Sequence, residues 1–542
     1  MNEINPKAVN EAAQVDGVLC EAAETAEGNS GGNAEMADKL STRNLIMFPL
    51  GTFGRDFVYN LFSTYLITYI LFTKTLTDAQ FASISFIIIA ARIFDAFNDP
   101  IMGGLIENTH TRFGKFKPWI LSGAILTGVV IAATFSTDLQ GWAFIGFLAF
   151  IYFMFSIVFT MNDISYWGMM PSLTRNSHDR SKLTSFSQIV AGAGGGLVGL
   201  IVPMLTAGQY TLGGSAVTAY RWIAIVAAVL MIGFQLFTVL GVKEKPLPAQ
   251  ALSRERITIK QMFKTIFKND QLMWTVLILL CQCIGPAVAG GLCVTYIYFE
   301  FGYNGSLLVF YGILSSVMST LFTLLYPWLA KRFGRKKLIT LGAISMIFGF
   351  LIMLIFGLVL PANPWQLKFA MLCIGNGLVG AGSIAFYMIL VISVANTVEY
   401  NEWKTGNRDE GLIFSLRPFT AKMGSAFVQF FIMLIYLAVG VTGITNQISD
   451  VENAASRGAI TDAAKLSQIE GIINSVPQGK KFALLICMCV IPILFIGFGI
   501  IVYRKKCILD EATHAAMVKD IEARAAAPVP QSEAMAEAET AV

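Results

Sequence analysis

Arg92, Asp95 and Asp99 stand at i, i+3 and i+7 within an otherwise apolar stretch, 79–106. A period of 3.6 residues puts all three on one face of a helix. Two carboxylates one turn apart in a low dielectric repel each other. They relax by sharing a proton or by holding a cation between their oxygens. Either chemistry suits coupling to Na⁺ or H⁺. The plainer alternative is a structural charge network in which Arg92 satisfies one of the acids.

Other charges are set in comparably apolar surroundings: Arg55 and Asp56 in 44–73, Asp163 close after 139–162, and Arg417 and Lys422 around the start of 423–449. With the first three, that makes four cations and four anions, a net charge of zero, as expected for groups sharing one aqueous cavity. Charges inside hydrocarbon are expensive and mark functional candidates. Asp56 and Asp163 can each accept from two adjacent hydroxyls, the natural handle on a sugar. Trp167, one turn beyond Asp163, offers a face for a pyranose ring or, alternatively, an interfacial anchor. Lys422 is placed to pair with the acids of the other half, whereas Arg417 either joins that network or snorkels to the interface.

These residues need membrane helices to position them. The chain has 542 residues, 55% hydrophobic and only 14% charged, against roughly 25% charged in soluble domains. A soluble enzyme is excluded, and a polytopic membrane protein is expected. A helix crosses hydrocarbon in about 20 residues. Runs without Asp, Glu, Lys or Arg occupy 118–137, 139–162, 183–220, 222–242, 271–299, 301–330, 338–367, 369–398, 423–449 and 482–503. With 44–73 and 79–106 they predict twelve spans. Lys and Arg number twenty in one set of loops and three (Lys74, Arg221, Lys368) in the short loops of the other, so both termini are expected in the cytoplasm.

The expected organisation is a cytoplasmic tail, 1–43; a six-helix bundle, 44–242; a cytoplasmic linker, 243–270; a second bundle, 271–505; and a cytoplasmic tail, 506–542, with a short helix at 509–527. The segment 441–481 reads as an external loop with one or two short helices. Arg112-Phe113-Gly114-Lys115-Phe116-Lys117 after span 2 is repeated as Arg332-Phe333-Gly334-Arg335-Lys336-Lys337 after span 8. A matched basic turn six spans apart predicts a duplicated unit and an all-α major facilitator fold.

Some motifs carry less. Eight scattered cysteines do not make a disulfide scaffold. Cys281-x-Cys283 and Cys487-x-Cys489 have metal-pair spacing but lie in apolar spans without histidine, and read as packing. Gly192, Gly194, Gly195, Gly196 and Gly199 lack the Lys-Ser/Thr of a phosphate loop and read as a close helix contact. His110, His178 and His514 fall in cytoplasmic segments.

The run Arg92-Ile-Phe-Asp95-Ala-Phe-Asn98-Asp99-Pro100-Ile-Met-Gly103, continuing to Arg112-Phe-Gly114-Lys115-Phe-Lys117-Pro118-Trp119, resembles the signature of the glycoside–pentoside–hexuronide:cation symporters, the melibiose permease-like family. Gly54-Arg55-Asp56, Thr160-Met-Asn-Asp163-Ile-Ser-Tyr-Trp167 and Lys422-Met-Gly-Ser-Ala are similar to it as well, so the likeness covers about 44–505. The resemblance implies that Asp95 and Asp99 bind the coupling cation (Na⁺, in a sodium-coupled protein), with a hydroxyl from Thr160. Arg55, Asp56, Asp163 and Trp167 would contact the sugar, and Lys422 would link the halves. The chain departs from the pattern at Gln188, which stands where a sugar-contacting arginine is usual, and at Arg417, which replaces a neutral amide.

The expected protein is therefore no enzyme. It is a secondary active transporter of the bacterial inner membrane that moves a sugar, glycoside or uronide with Na⁺ or H⁺ by alternating access. It is expected to act as a monomer in the bilayer, without a cofactor or a nucleic-acid partner. A lipid or lysophospholipid carrier of related fold is the alternative.

Overall fold

The computed structural model describes residues 40–109, 111–174, 177–243, 269–361, 363–406, 410–508 and 511–526. His110, Arg175, Arg408, most of the 243–270 linker and both chain ends lie outside them. The described residues fold into helices, with no strand among them. They are α1 (Thr42–Thr73), α2 (Asp78–Glu107), α3 (Lys117–Ser136), α4 (Gly141–Met169), α5 (Ser177–Thr206), α6 (Ala216–Gly241), α7 (Asp270–Phe301), α8 (Gly305–Phe333), α9 (Arg335–Val359), α10 (Trp365–Thr405), α11 (Glu410–Val439), α12 (Thr442–Ser456), α13 (Asp462–Asn474), α14 (Gln478–Lys506) and α15 (Glu511–Ala526). Eleven of them, α2–α11 and α14, are long and apolar enough to cross a membrane. α1 matches them in length at 32 residues but carries Arg55 and Asp56.

Helix ends follow local chemistry. Ser41, Asn269 and Asn304 cap the starts of α1, α7 and α8 through their side chains, and Thr77 with Gln80 forms a reciprocal capping box at α2. The repeated basic turns both bend at their glycine, Gly114 at φ 100° and Gly334 at φ 71°, a left-handed conformation that L side chains resist.

Counting uncharged residues misplaces several boundaries. The run 183–220 is not one span: α5 stops at Thr206, positive-φ Gly208, Gly213 and Gly214 make the turn, and α6 begins at Ala216. Within 338–367, α9 ends at Val359. α11 starts well before 423 and ends at Val439, with positive-φ Gly440 in the turn, leaving 442–449 to α12. Arg221 and Lys368 consequently sit inside helices α6 and α10 rather than in loops. Glycine turns contain no charge, so they are invisible to such a count. The 441–481 segment holds two short helices, α12 and α13, and 511–526 forms α15.

The helices of α1–α6 pack chiefly among themselves, as do α7–α11 with α14. The main contacts between the two sets run between α2 and α11 and between α5 and α8, and α12 packs on α1 and α6. The end of the molecule opposite the basic turns is heavily bonded. There Asn446 of α12 donates to the Leu76 oxygen at 2.7 Å and accepts from the Leu76 N–H at 2.9 Å. Asn453 donates to Thr73 O at 2.9 Å, and Glu452 accepts from Ala216 N, the first residue of α6, at 2.6 Å. A Cβ on Gly305 would stand only 1.6 Å from Pro203 O; α5 and α8 touch backbone to backbone.

Candidate transport site

Close helix packing aims the charged side chains. On α1, a Cβ at Gly51 would lie 2.1 Å from Thr238 Oγ1, and one at Gly54 would lie 2.3 Å from Leu230 O. These glycines press α1 against α6, and Arg55, a further 100° around the helix, turns toward α4. A Cβ at Gly123 would come within 2.8 Å of Asn162, fixing α3 against α4. Asn162 donates to Ile120 O at 2.8 Å, while Gln235 of α6 donates to Gly51 O at 3.0 Å and to Asn162 Oδ1 at 3.4 Å. These buried amides lash α1, α3, α4 and α6 together, and Asp163 follows directly from that lock.

Arg55 is the centre of the first cluster and is buried. Its Nη2 and Nε donate to Asp56 Oδ2 at 2.8 and 3.1 Å. Its Nη1 stands 3.1 Å from Asp163 Oδ1, an ion pair lacking hydrogen-bond alignment, so that N–H retains donor capacity. The guanidinium also lies over the rings of Tyr166 and Trp167, at 4.8 and 4.9 Å from their centroids. Asp163 is the most open member, with 39% of its side chain exposed. A polar ligand arriving here would meet carboxylate acceptors, a guanidinium donor and an indole.

The second cluster joins α2, α4 and α11. Asp95 Oδ1 accepts from the Ser156 hydroxyl, and its Oδ2 is 3.8 Å from Arg92 Nη1. Asp99 Oδ1 accepts from Thr160 Oγ1 at 3.4 Å and Oδ2 accepts from Lys422 Nζ. Lys422 lies 3.4 Å from the main-chain oxygen of Asp95 as well. Carboxylates, hydroxyls and a carbonyl make an oxygen-rich set suited to a hard monovalent cation, and Lys422 supplies the positive charge in its place. Among the described residues, no group of three His, Cys, Asp or Glu gathers as a transition-metal site would require.

The two clusters meet on α4. Ser156, Thr160, Asp163 and Trp167 are spaced i, i+4, i+7 and i+11 on one stripe.

Two expected residues lie elsewhere. Arg417 joins neither cluster: its Nε donates to the Tyr387 hydroxyl of α10 at 3.1 Å. Gln188 is exposed on α5, on the face of Gly195, whose Cβ would approach Asn60 at 2.7 Å. Of the five α5 glycines, Gly194 and Gly195 make the close contact, with Phe53 and Asn60 of α1. Around Gly192, Gly196 and Gly199 the space is open.

Ser156 escaped the sequence reading, although its place one turn before Thr160 was a usable signal. So did the ion pair of Glu300 and Lys368, whose side chains are 0% and 1% exposed. Each sits at the edge of an uncharged run, where it looks like a loop charge.

Residues 47–504 match the family described as MFS/sugar transport protein. The chain belongs to that family. Its members are transport proteins, so this is a multi-pass transporter of the bacterial cell membrane and not an enzyme. Similar proteins include a lactose permease of Leuconostoc lactis, 27% identical over 497 residues, covering 88% of this chain and 71% of that protein. A raffinose carrier protein of Pediococcus pentosaceus is 27% identical over 492 residues with the same coverage. The crystal structure of a D-xylose–proton symporter has 14% identity and a TM-score of 0.53, over 82% of this chain and 99% of that one. At that identity the likeness speaks to the fold alone.

Proposed function

We propose that this MFS/sugar transport protein is a symporter that takes up a sugar or glycoside together with one monovalent cation, Na⁺ or H⁺. Asp95, Asp99, Ser156 and Thr160 bind the cation, and Arg55, Asp56, Asp163 and Trp167 bind the sugar. The observation that carries the reading is the α4 stripe, in which hydroxyls facing the Asp95/Asp99 pair and the carboxylate facing Arg55 share one rigid helix face. Relatives named for lactose and raffinose support the substrate class.

In this reading α1–α11 and α14 are twelve spans, arranged as two six-helix bundles with both termini cytoplasmic. The bonded end formed by α12 and α13 then faces outward, in agreement with the crowding of Lys and Arg at the other end. Lys422 holds Asp99 while no cation is bound. Cation entry frees Lys422 and fixes the two carboxylates. Through α4 this presents Asp163 for the sugar hydroxyls, and by linkage the sugar tightens cation binding by the same factor.

The test is uptake into proteoliposomes of the purified chain, using a panel of mono- and disaccharides and uronides under a Na⁺ gradient, a proton gradient or neither. Accumulation driven by one gradient is the expected result. Downhill movement unaffected by either gradient, or transport of lysophospholipid instead of any sugar, would overturn the reading.

A further inference from the structure

The segment between α11 and α14 belongs in sequence to the second bundle, yet many of its side chains bond to the first. Beside the contacts of Asn446, Asn453 and Glu452 described above, Thr75 Oγ1 donates to Asp450 Oδ1 at 2.8 Å. Thr442, the first residue of α12, donates to Asp78, the first of α2. Lys465 of α13, only 1% exposed, donates to Gly214 O in the turn before α6 at 2.8 Å. These bonds reach the ends of α1, α2 and α6.

The root of the segment is fixed to the other side. Only Gly440 and Val441 separate α11 from α12. The Val441 N–H donates to Tyr436 O at 3.0 Å, and Lys480 of α14 donates to Gly440 O at 2.8 Å. Two residues reach about 7 Å when fully extended, so the root has little slack. Beneath the segment the bundles touch directly. The Phe72 ring of α1 lies 5.3 Å from that of Tyr298 of α7, and Gln429 of α11 donates at 3.1 Å to Ser85 of α2, which is fully buried.

Alternating access requires these faces to part. A segment rooted in one bundle and bonded to the other must then let go of one of them. The root is covalent and short, so it is the bonds to α1, α2 and α6 that yield. We propose that α12 and α13 form a strap that holds the outer side shut and lifts off the first bundle in every turnover. The proposal rests on the orientation given above and goes beyond it, since it holds whichever solute is carried. The strength of the strap's hydrogen bonds sets how often the outer side opens.

The test follows residue 85 from outside the cell. Spheroplasts bearing a protein whose single cysteine is Ser85→Cys are treated with a membrane-impermeant maleimide. Labelling of a buried thiol tracks the open population when reclosing is fast. Asn446→Ala removes both bonds to Leu76 and is expected to speed labelling of residue 85 roughly five- to 150-fold, the range of two neutral hydrogen bonds. A version keeping only Cys489, buried within the second bundle, should stay unlabelled with or without Asn446→Ala, which separates opening from general loosening. A disulfide between Thr75→Cys and Asp450→Cys should abolish labelling of residue 85, read by peptide mass spectrometry, and reduction should restore it. Labelling of residue 85 that ignores Asn446→Ala or survives the disulfide, or that is matched at Cys489, would overturn the strap alone. Asp450→Cys by itself, exposed on α12, should react at once; if no external reagent reaches it, the proposed orientation falls, and the strap's outer role with it.

Discussion

Lys422 of α11 is paired with Asp99 of α2 and lies 3.4 Å from the main-chain oxygen of Asp95. A cation from the second bundle thus closes a ring of acids and hydroxyls from the first. The protein carries within its own sequence a stand-in for the ion it is proposed to bind; on that proposal, displacing the lysine ties occupancy to the packing of α2 on α11.

Neutralising an acid should therefore uncouple transport rather than abolish recognition. Asp99→Asn or Asp95→Cys is expected to eliminate uphill accumulation while sugar exchange across the membrane persists. Proteoliposome counterflow measures the second quantity and gradient-driven uptake the first. Full concentrative uptake in either variant would remove the acids from the cation site.

Ser156 gives a graded version of the same test. Ser156→Ala deletes one oxygen that faces Asp95 and is expected to weaken apparent cation affinity roughly ten- to 150-fold, the range of one lost hydrogen bond to a charged group. Maximal uptake at saturating cation should stay near that of wild type.

At the end sealed by α12, Glu452 is fully buried, and that burial pushes its carboxyl above the usual carboxylate range, against the opposing pull of Lys465, the Ala216 N–H and Tyr303, with Asp462 adding to the rise. The sealed form then holds the proton more tightly than an opened one. Acidification through the raised value stabilises the seal, and this stability is lost as pH rises through it. Hydrogen exchange across 442–456 should slow as pH is lowered, after correction for intrinsic rates. Glu452→Gln should flatten that dependence.

The Glu300–Lys368 pair joins α7 to α10 out of reach of water. Lys368→Met alone should destabilise the protein by about 3–5 kcal/mol, because a buried carboxylate loses its partner. Glu300→Gln with Lys368→Met should recover most of that loss. Thermal unfolding in detergent reads both.

Gly54→Ala tests the helix lock. The added methyl meets the Leu230 carbonyl at 2.3 Å, and backbone cannot step aside as a side chain would. A loss of about 1–3 kcal/mol is expected, with lower transport as α1 and its Arg55 shift.

Much of the site was legible in the sequence because charges in apolar runs are few and stand out. Arg55, Asp56, Asp95, Asp99, Asp163 and Lys422 were each visible that way, and the basic turns at Gly114 and Gly334 do bend at their glycine. What stayed hidden was neutral or marginal. Ser156, Asn162 and Gln235 have ordinary hydropathy, and their roles arise only when helices distant in sequence meet. Glu300 and Lys368 sat at run edges, where spacing cannot tell a loop from a buried helix end. Arg417 was visible as a charge, but its partner Tyr387, thirty residues away on α10, was not.

There is one Asp95/Asp99 pair, and it fills one place. On the proposed role, each turnover carries a single coupling charge, and this sets a ceiling on accumulation. One elementary charge moving through 100 mV releases about 2.3 kcal/mol, equivalent to roughly a fiftyfold concentration ratio. However tightly Arg55 and Asp163 hold a sugar, the electrical contribution cannot lift the internal level beyond that ratio per 100 mV, and any further enrichment must come from the cation's own concentration gradient.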